Sequence, residues 1–282
     1  MATEGPLIAA VIARLPDAKY NLAAYGVTFA LAILIEAPVI MLMSAATSLV
    51  RDRVSFLKLR NFSRALGLGA TGLLLIVLIP AVFGWLTGTV VGLPHEVADI
   101  TYGALWFMLP WPAAIGYRRF LQGVLIRAGK ARLVAWGTVI RLMGMSMTAL
   151  AGYLWLDMPG AWIGAFALAV GVTIEAIVAR FMAAGTVQEL LDGQGDLESS
   201  KREISYREIA AFYWPLALTS FIGLTIQPLL TFFMGRSIAP LESLAVFPVV
   251  HSLSFFFRSM GLAYQDVAIA LMGDRFELFP AL

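Results

Sequence analysis

The sequence predicts an all-α polytopic membrane protein: two helical lobes related by a parallel repeat, truncated to about seven full spans plus the stub of a first helix. Three observations carry that expectation. Apolar residues fill 60% of the 282 positions and charged residues only 13%, with a mean hydropathy of +0.83. A water-soluble globule cannot hide so much apolar surface behind so few charges. Seven apolar stretches are long enough to cross a bilayer as helices. The chain also matches itself at an offset of 222 residues.

The stretches are 22–50, 65–86, 100–117, 133–156, 160–179, 210–235 and 244–272. They are continuous rather than alternating, which favours helices over barrel strands. The first and last exceed the roughly 20 residues a span requires. Each is expected to tilt or kink, with Pro38 and Pro248 placed to kink them. Residues 1–15 do not read as a signal peptide, because Glu4 and Arg14 interrupt a short apolar stretch that has no basic leader.

Orientation follows the basic loops. Segment 51–64 carries Arg51, Arg53, Lys58, Arg60 and Arg64 against Asp52 alone, and 118–132 carries Arg118, Arg119, Arg127, Lys130 and Arg132 with no acid. Both are expected on the cytoplasmic side. Segment 87–99, with Glu96 and Asp99 and no Lys or Arg, and the turn 157–159 are expected outside. The alternation then puts 180–209 inside and 236–243 outside.

Residues 183–208 interrupt the apolar pattern with nine charges in 26 positions. They divide the chain into a first lobe, 1–182, a cytoplasmic linker, 183–208, and the start of a second lobe, 209–282. At the offset of 222, residues 6–52 fall on 228–274 without a gap. Pro6-Leu7 meets Pro228-Leu229, Arg14 meets Arg236, Leu22-Ala23 meets Leu244-Ala245, and Asp52 meets Asp274. Two copies of like orientation form a parallel repeat about an axis along the membrane normal. In that register the counterpart of span 210–235 begins before Met1, so the chain is expected to be a fragment of a six-plus-six protein.

Charges inside spans are costly and mark function or pairing. Glu36 lies about 21 Å along its span at 1.5 Å per residue, and Arg258 occupies the equivalent position in the second copy. Either both line a cleft between lobes, or they form a structural pair. Asp266, beside Gln265, and His251 fall on faces similar to that of Arg258, as a cation site and a proton-relay candidate; water contact and core packing are the plainer readings. Gln227-Pro228 places a polar amide beside a helix kink. Arg141 and Glu175 are expected to pair within the first lobe. Gly160 with Gly164, and Gly67, Gly69 and Gly72, read as helix-packing surfaces.

Several classes drop out. The chain has no cysteine, so thiol chemistry and disulfides are excluded. It has no Walker loop, HExxH or nucleophile elbow. Its lysines, Lys19, Lys58, Lys130 and Lys201, lie outside the spans, which excludes a retinal Schiff base. No enzyme activity, metal or cofactor is expected, and no nucleic-acid partner.

Arg14-Leu15 followed by Asn21-Leu22-Ala23-Ala24-Tyr25-Gly26 is similar to the "GRLG…LAA" region of the multidrug and toxic-compound extrusion (MATE) family. Tyr117-Arg118-Arg119-Phe120-Leu121-Gln122-Gly123 resembles its "R-x-x-L-Q-G" segment, and Met234-Gly235-Arg236 with Leu244-Ala245 resembles the second-lobe counterpart. Pro248-Val249-Val250-His251 is similar to a stretch of the related progressive ankylosis protein family. The resemblance implies two six-helix lobes in a V, alternating access driven by a proton or sodium gradient, and export of amphiphilic, often cationic, molecules. The acidic first-helix residue that many members use for coupling is not placed, because most of that helix is expected to lie before Met1, and the coupling ion stays open. The expected function is therefore a monomeric, multidrug-type secondary transporter of the inner (plasma) membrane, with the lipid bilayer and a small organic substrate as partners. The alternative on the same fold is a flippase for a lipid-linked saccharide or an exporter of small anions. The expected cleft residues are Glu36, Arg258, Asp266, His251 and Gln227.

Overall fold

The computed structural model describes residues 3–192 and 204–272; for Phe256, Arg258 and residues 260–272 it describes the backbone only. The described residues form helices and no strand: α1 (Glu4–Ile12), α2 (Ala18–Glu36), α3 (Leu42–Leu49), α4 (Arg53–Val77), α5 (Pro80–Gly84) running into a π-helical turn (Trp85–Val91), α6 (His95–Phe107), α7 (Trp111–Arg127), α8 (Ala131–Trp155), α9 (Gly160–Met182), α10 (Ala184–Leu191), α11 (Tyr206–Gly235) and α12 (Pro240–Met272). Helices α2, α8, α9 and α11 are long and apolar enough to cross a membrane, and α4 with the segment 80–91, bent by 73°, makes a fifth candidate.

Local chemistry sets the helix ends. Asp52 opens α4 with a capping box: its carboxylate accepts from the Ser55 N–H at 2.8 Å, and Ser55 Oγ accepts from the Asp52 N–H at 3.0 Å. Ser205 and Glu208 open α11 in the same way. Gly129, at φ +72°, and Gly92, at φ +78°, take the left-handed conformation that closes a helix and that a side chain would resist. Hydroxyls inside apolar helices turn back on their own backbone. Thr28 Oγ1 donates to the Ala24 carbonyl at 2.8 Å and Thr101 Oγ1 to that of Val97 at 2.7 Å, so neither is left unsatisfied in an apolar interior.

Several expected spans are interrupted. The stretch 22–50 breaks at 37–41, around Pro38, into α2 and α3, whereas α12 runs unbroken through Pro248. The stretch 100–117 is two helices meeting at 108–110. The basic segment 118–132, expected as a cytoplasmic loop, is helical as far as Arg127, and Arg118 is buried at 1% exposure. The basic segment 51–64 is helical from Arg53. The expected linker begins with α10, whose Thr186 is buried and accepts from Lys130 Nζ at 2.8 Å. Residues 1–15 contain α1, with Ile8 and Ile12 fully buried.

The buried core is mainly apolar but also holds charged groups, while large apolar side chains stand exposed, a combination unlike that of a soluble domain. Glu175, Arg118 and Arg141 are buried, while Trp136, Met143, Met147, Leu150 and Leu154 stand exposed along α8. Trp214, Ile222, Ile226 and Phe233 do the same on α11. Such long apolar stripes mark contact with lipid or another apolar surface. The interior is knit by small residues. Gly160 packs on Ile12, Leu15 and Asn21, and Gly164 on Ile8, Ile12 and Tyr25, so α9 lies close against α1 and α2. Gly123 lets α7 meet the α3 backbone at the Met43 carbonyl. Gly67 faces Ala113, but Gly69 and Gly72 face open space and are not packing contacts.

Candidate functional site

A cavity of about 320 Å³ lies between the group α1, α2, α7, α8, α9 and the pair α11, α12. Much of its lining is apolar and aromatic, including Tyr25, Phe29, Trp111, Leu168, Phe247 and Phe255. One wall carries charge. Glu4, Glu36, Arg118, Arg119 and Arg141 all line the cavity, and Glu175 lies behind them.

Glu4, Arg118, Arg141 and Glu175 form a connected network. Glu175, on α9, accepts from Arg118 Nη1 and from Gln122 Nε2, the latter at 2.9 Å. Arg118 and Gln122 are four residues apart on α7, so one helical face presents both donors. Arg141 Nε lies 3.1 Å from the same Glu175 carboxylate, and Arg141 Nη2 reaches Glu4 Oε1 at 2.5 Å. The network thus joins α7, α9, α8 and α1. Glu36, the last residue of α2, accepts from Trp111 Nε1 at the first residue of α7. Three carboxylates (Glu4, Glu36, Glu175) face three guanidiniums (Arg118, Arg119, Arg141), for a formal sum of zero. That balance is what permits so much charge in a buried setting. Arg119 differs from its neighbours: Nη1 lies 3.8 Å from Met43 Sδ, and whereas Arg118 and Arg141 each meet a carboxylate, Arg119 meets none among the described residues.

The opposite wall belongs to α11 and α12. Gln227 Nε2 and His251 Nε2 are 2.5 Å apart, and the His251 ring packs on Phe247 with centroids 5.5 Å apart. Three further ties join the two helix groups. Lys19 Nζ reaches Glu242 Oε1 at 2.5 Å, Arg236 donates to the carbonyls of Thr89 and Val90, and Tyr213 Oη donates to the Pro38 carbonyl at the α2–α3 break. Glu242 lies outside the apolar spans, and the hydrogen bond from Lys19 holds its carboxyl below the usual carboxylate range.

Of the expected cleft residues, Glu36, Gln227 and His251 line this one cavity. The side chains of Arg258 and Asp266, and of Gln265, lie outside the described residues, so the Glu36–Arg258 relation has no side-chain geometry. The expected pairing of Arg141 with Glu175 is present, as one edge of the larger network. Sequence reasoning missed Glu4, Trp111, Arg118, Arg119 and Gln122. Basic residues that end an apolar run read as a loop, whereas Arg118 and Arg119 are helical and line the cavity. The signal that points the other way is stoichiometric: Glu175 is the sole acid of a 23-residue apolar helix, and Gln122 follows Arg118 at helical spacing.

Among the described residues no group of three or more His, Cys, Asp or Glu side chains is placed to hold a metal ion. Comparison with protein-family models, with curated proteins and with solved structures gives no match to this chain.

Proposed function

We propose that this chain is a multi-pass secondary transporter of the inner (plasma) membrane, similar in plan to the MATE family, with substrate passing through the cavity between α1–α9 and α11–α12. The carrying observation is that cavity: both helix groups wall it, its lining is largely apolar and includes Tyr25, Phe29, Trp111, Phe247 and Phe255, and a neutralised charge network backs one side. An amphiphilic organic molecule fits such a lining, its apolar part against Phe29, Phe247 and Phe255 and its polar head toward Glu36. The duplication reading draws support from element boundaries, since Ala18 opens α2 and Pro240 opens α12, 222 residues later. Alternating access, driven by a proton or sodium gradient, would rock the two groups about the cavity. Arg119 favours the second reading, an exporter of small anions or a flippase for a lipid-linked saccharide, because its guanidinium lines the cavity and, unlike those of Arg118 and Arg141, meets no carboxylate among the described residues.

Purified chain in proteoliposomes tests this. Uptake of a cationic dye against an imposed gradient, lost in Glu36→Gln, supports the first reading. Full gradient-driven uptake in Glu36→Gln removes Glu36 from the path. Uptake of an anionic amphiphile alone, lost in Arg119→Gln, favours the second reading. The chain has no native cysteine, so Arg60→Cys and Arg127→Cys can be labelled singly, and labelling from opposite sides of the bilayer would overturn the topology.

A further inference from the structure

Gln227 and His251 meet on the wall that α11 and α12 give to the cavity. An amide nitrogen only donates. With Gln227 Nε2 turned toward it, His251 Nε2 is the acceptor and the ring is neutral, its proton on Nδ1. The other end of the amide, Oε1, is buried with no hydrogen-bond partner among the described residues. A buried acceptor in that state carries a cost, and here it belongs to a group that can turn. The next residue, Pro228, has no N–H to give the carbonyl of Leu224, a residue that also lines the cavity.

We propose that this pair is the coupling-proton site of the transport cycle: His251 Nε2 takes the proton and the Gln227 amide turns to hold it. This rests on the transport reading and names its driving ion. A proton from cavity water adds to the Nε2 lone pair, giving an imidazolium with two N–H groups; nothing is oxidised or reduced. The amide NH2 and the new Nε2–H then face each other as two donors. A half-turn of the amide presents Oε1 instead, and the unpartnered oxygen gains a charge-assisted bond. Each charge state of the ring thus has its own amide orientation. The two residues sit on different helices, so protonation changes the bond at the α11–α12 crossing.

The other ionisable groups that share the cavity with the pair come from α1, α2, α7 and α8. Glu4 of α1, Tyr25 and Glu36 of α2, Arg118 and Arg119 of α7 and Arg141 of α8 share the cavity, and α11 adds no ionisable side chain to it. Near the start of α12, Glu242 is bound to Lys19. Arg118 and Arg141 are engaged by Glu175 and Glu4.

The chain has two histidines, and His95 is exposed, so ¹⁵N-histidine labelling in nanodiscs gives one cavity signal and one reference. His251 is expected to be neutral with Nδ1 protonated at about pH 8 and to gain its second proton at Nε2 by about pH 5, the range histidine serves. In proteoliposomes, dye accumulation driven by a pH gradient is expected to fall at least about tenfold in His251→Gln, and the residual uptake to ignore the gradient. Gln227→Leu, lacking the turning acceptor, should behave alike, while Gln227→Glu keeps gradient dependence and His95→Gln changes nothing. A ring that stays neutral to about pH 5, or His251→Gln that still follows the pH gradient, overturns the assignment. Titration of His251 in a wild-type chain that takes up no substrate would instead overturn the transport reading, and the coupling role with it.

Discussion

Gly26 and Pro248, 222 residues apart, face each other where α2 crosses α12, and the Pro248 ring occupies the space in which a Gly26 side chain would begin. Under a two-fold axis, residues equivalent by the repeat can touch only close to that axis. The offset that aligns the two copies is the separation of this pair, so the crossing marks where the axis of the proposed duplication would run. The same closeness brings Phe29 and His251, also 222 apart, onto the lining of one cavity.

Gly26→Ala is expected to destabilise the protein. Alanine gains up to ~1 kcal/mol of helix propensity, but its Cβ would strike Pro248 Cγ, and a proline ring has no rotamer in which to retreat. Overpacking costs roughly 1–3 kcal/mol, so the net is a loss of about 1 kcal/mol and a lower melting temperature in detergent. Pro248→Ala in the same background should recover most of the loss. Gly72→Ala, which faces open space, should raise the melting temperature and serves as the opposite-sign control.

How much of this was legible in the sequence differs by element. Helices α8, α9 and α11 could be read to within a few residues, because an apolar run bounded by Pro159, Gly129 or Ser205 has one local solution. The 100–127 region could not. Its hydropathy falls at Arg118, and a window average cannot distinguish a charge leaving the bilayer from one turned inward to a carboxylate on another helix. Glu175 is that carboxylate, 57 positions away, and only tertiary packing introduces them. Glu36, Gln227 and His251 were recognisable as polar side chains within apolar spans. Glu4 was not, because a short helix near the start of the chain shows nothing of the Arg141 it meets.

Glu175→Gln tests the centre of the network. Glu175 is fully buried and binds Arg118, Arg141 and Gln122 together. Neutralising it leaves two buried guanidiniums facing each other with Glu4, on Arg141, as the one acid still bonded to either, and breaking such a pair costs roughly 3–5 kcal/mol. The melting temperature should fall steeply. Glu175→Leu with Arg118→Met removes both partners and should melt above Glu175→Gln alone, since a buried ion pair replaced by apolar volume is often neutral. If the double variant is the less stable of the two, the network is held by more than charge balance.

Lys19 and Glu242 set a pH dependence with a definite sign. The hydrogen bond from Lys19 lowers the Glu242 carboxyl, so its contribution is present above the ordinary carboxylate range and is lost as pH falls and the carboxylate takes up its proton. Both side chains are about half exposed, so the effect is small and screened by salt. Thermal melts of wild type and Lys19→Gln are expected to differ at neutral pH in low salt, and to converge both below the carboxylate range and in about 1 M salt. A gap that widens on acidification would reverse the assignment.

Trp111 and Glu36 make the last test, because they join the two helix breaks that shape the cavity. Glu36 ends α2 just before the interruption at Pro38, and Trp111 opens α7 just after the interruption at 108–110; the indole N–H donating to the carboxylate ties one break to the other. Trp111→Phe keeps the ring and removes the donor. It leaves a buried acceptor short of its partner, at a cost of roughly 1–3 kcal/mol, and should lower the melting temperature. Glu36→Gln added to Trp111→Phe should recover part of that loss, since an amide costs less to bury than a carboxylate, but should not restore dye uptake if the charge itself serves the substrate. Recovery of stability and uptake together would assign Glu36 a purely structural role.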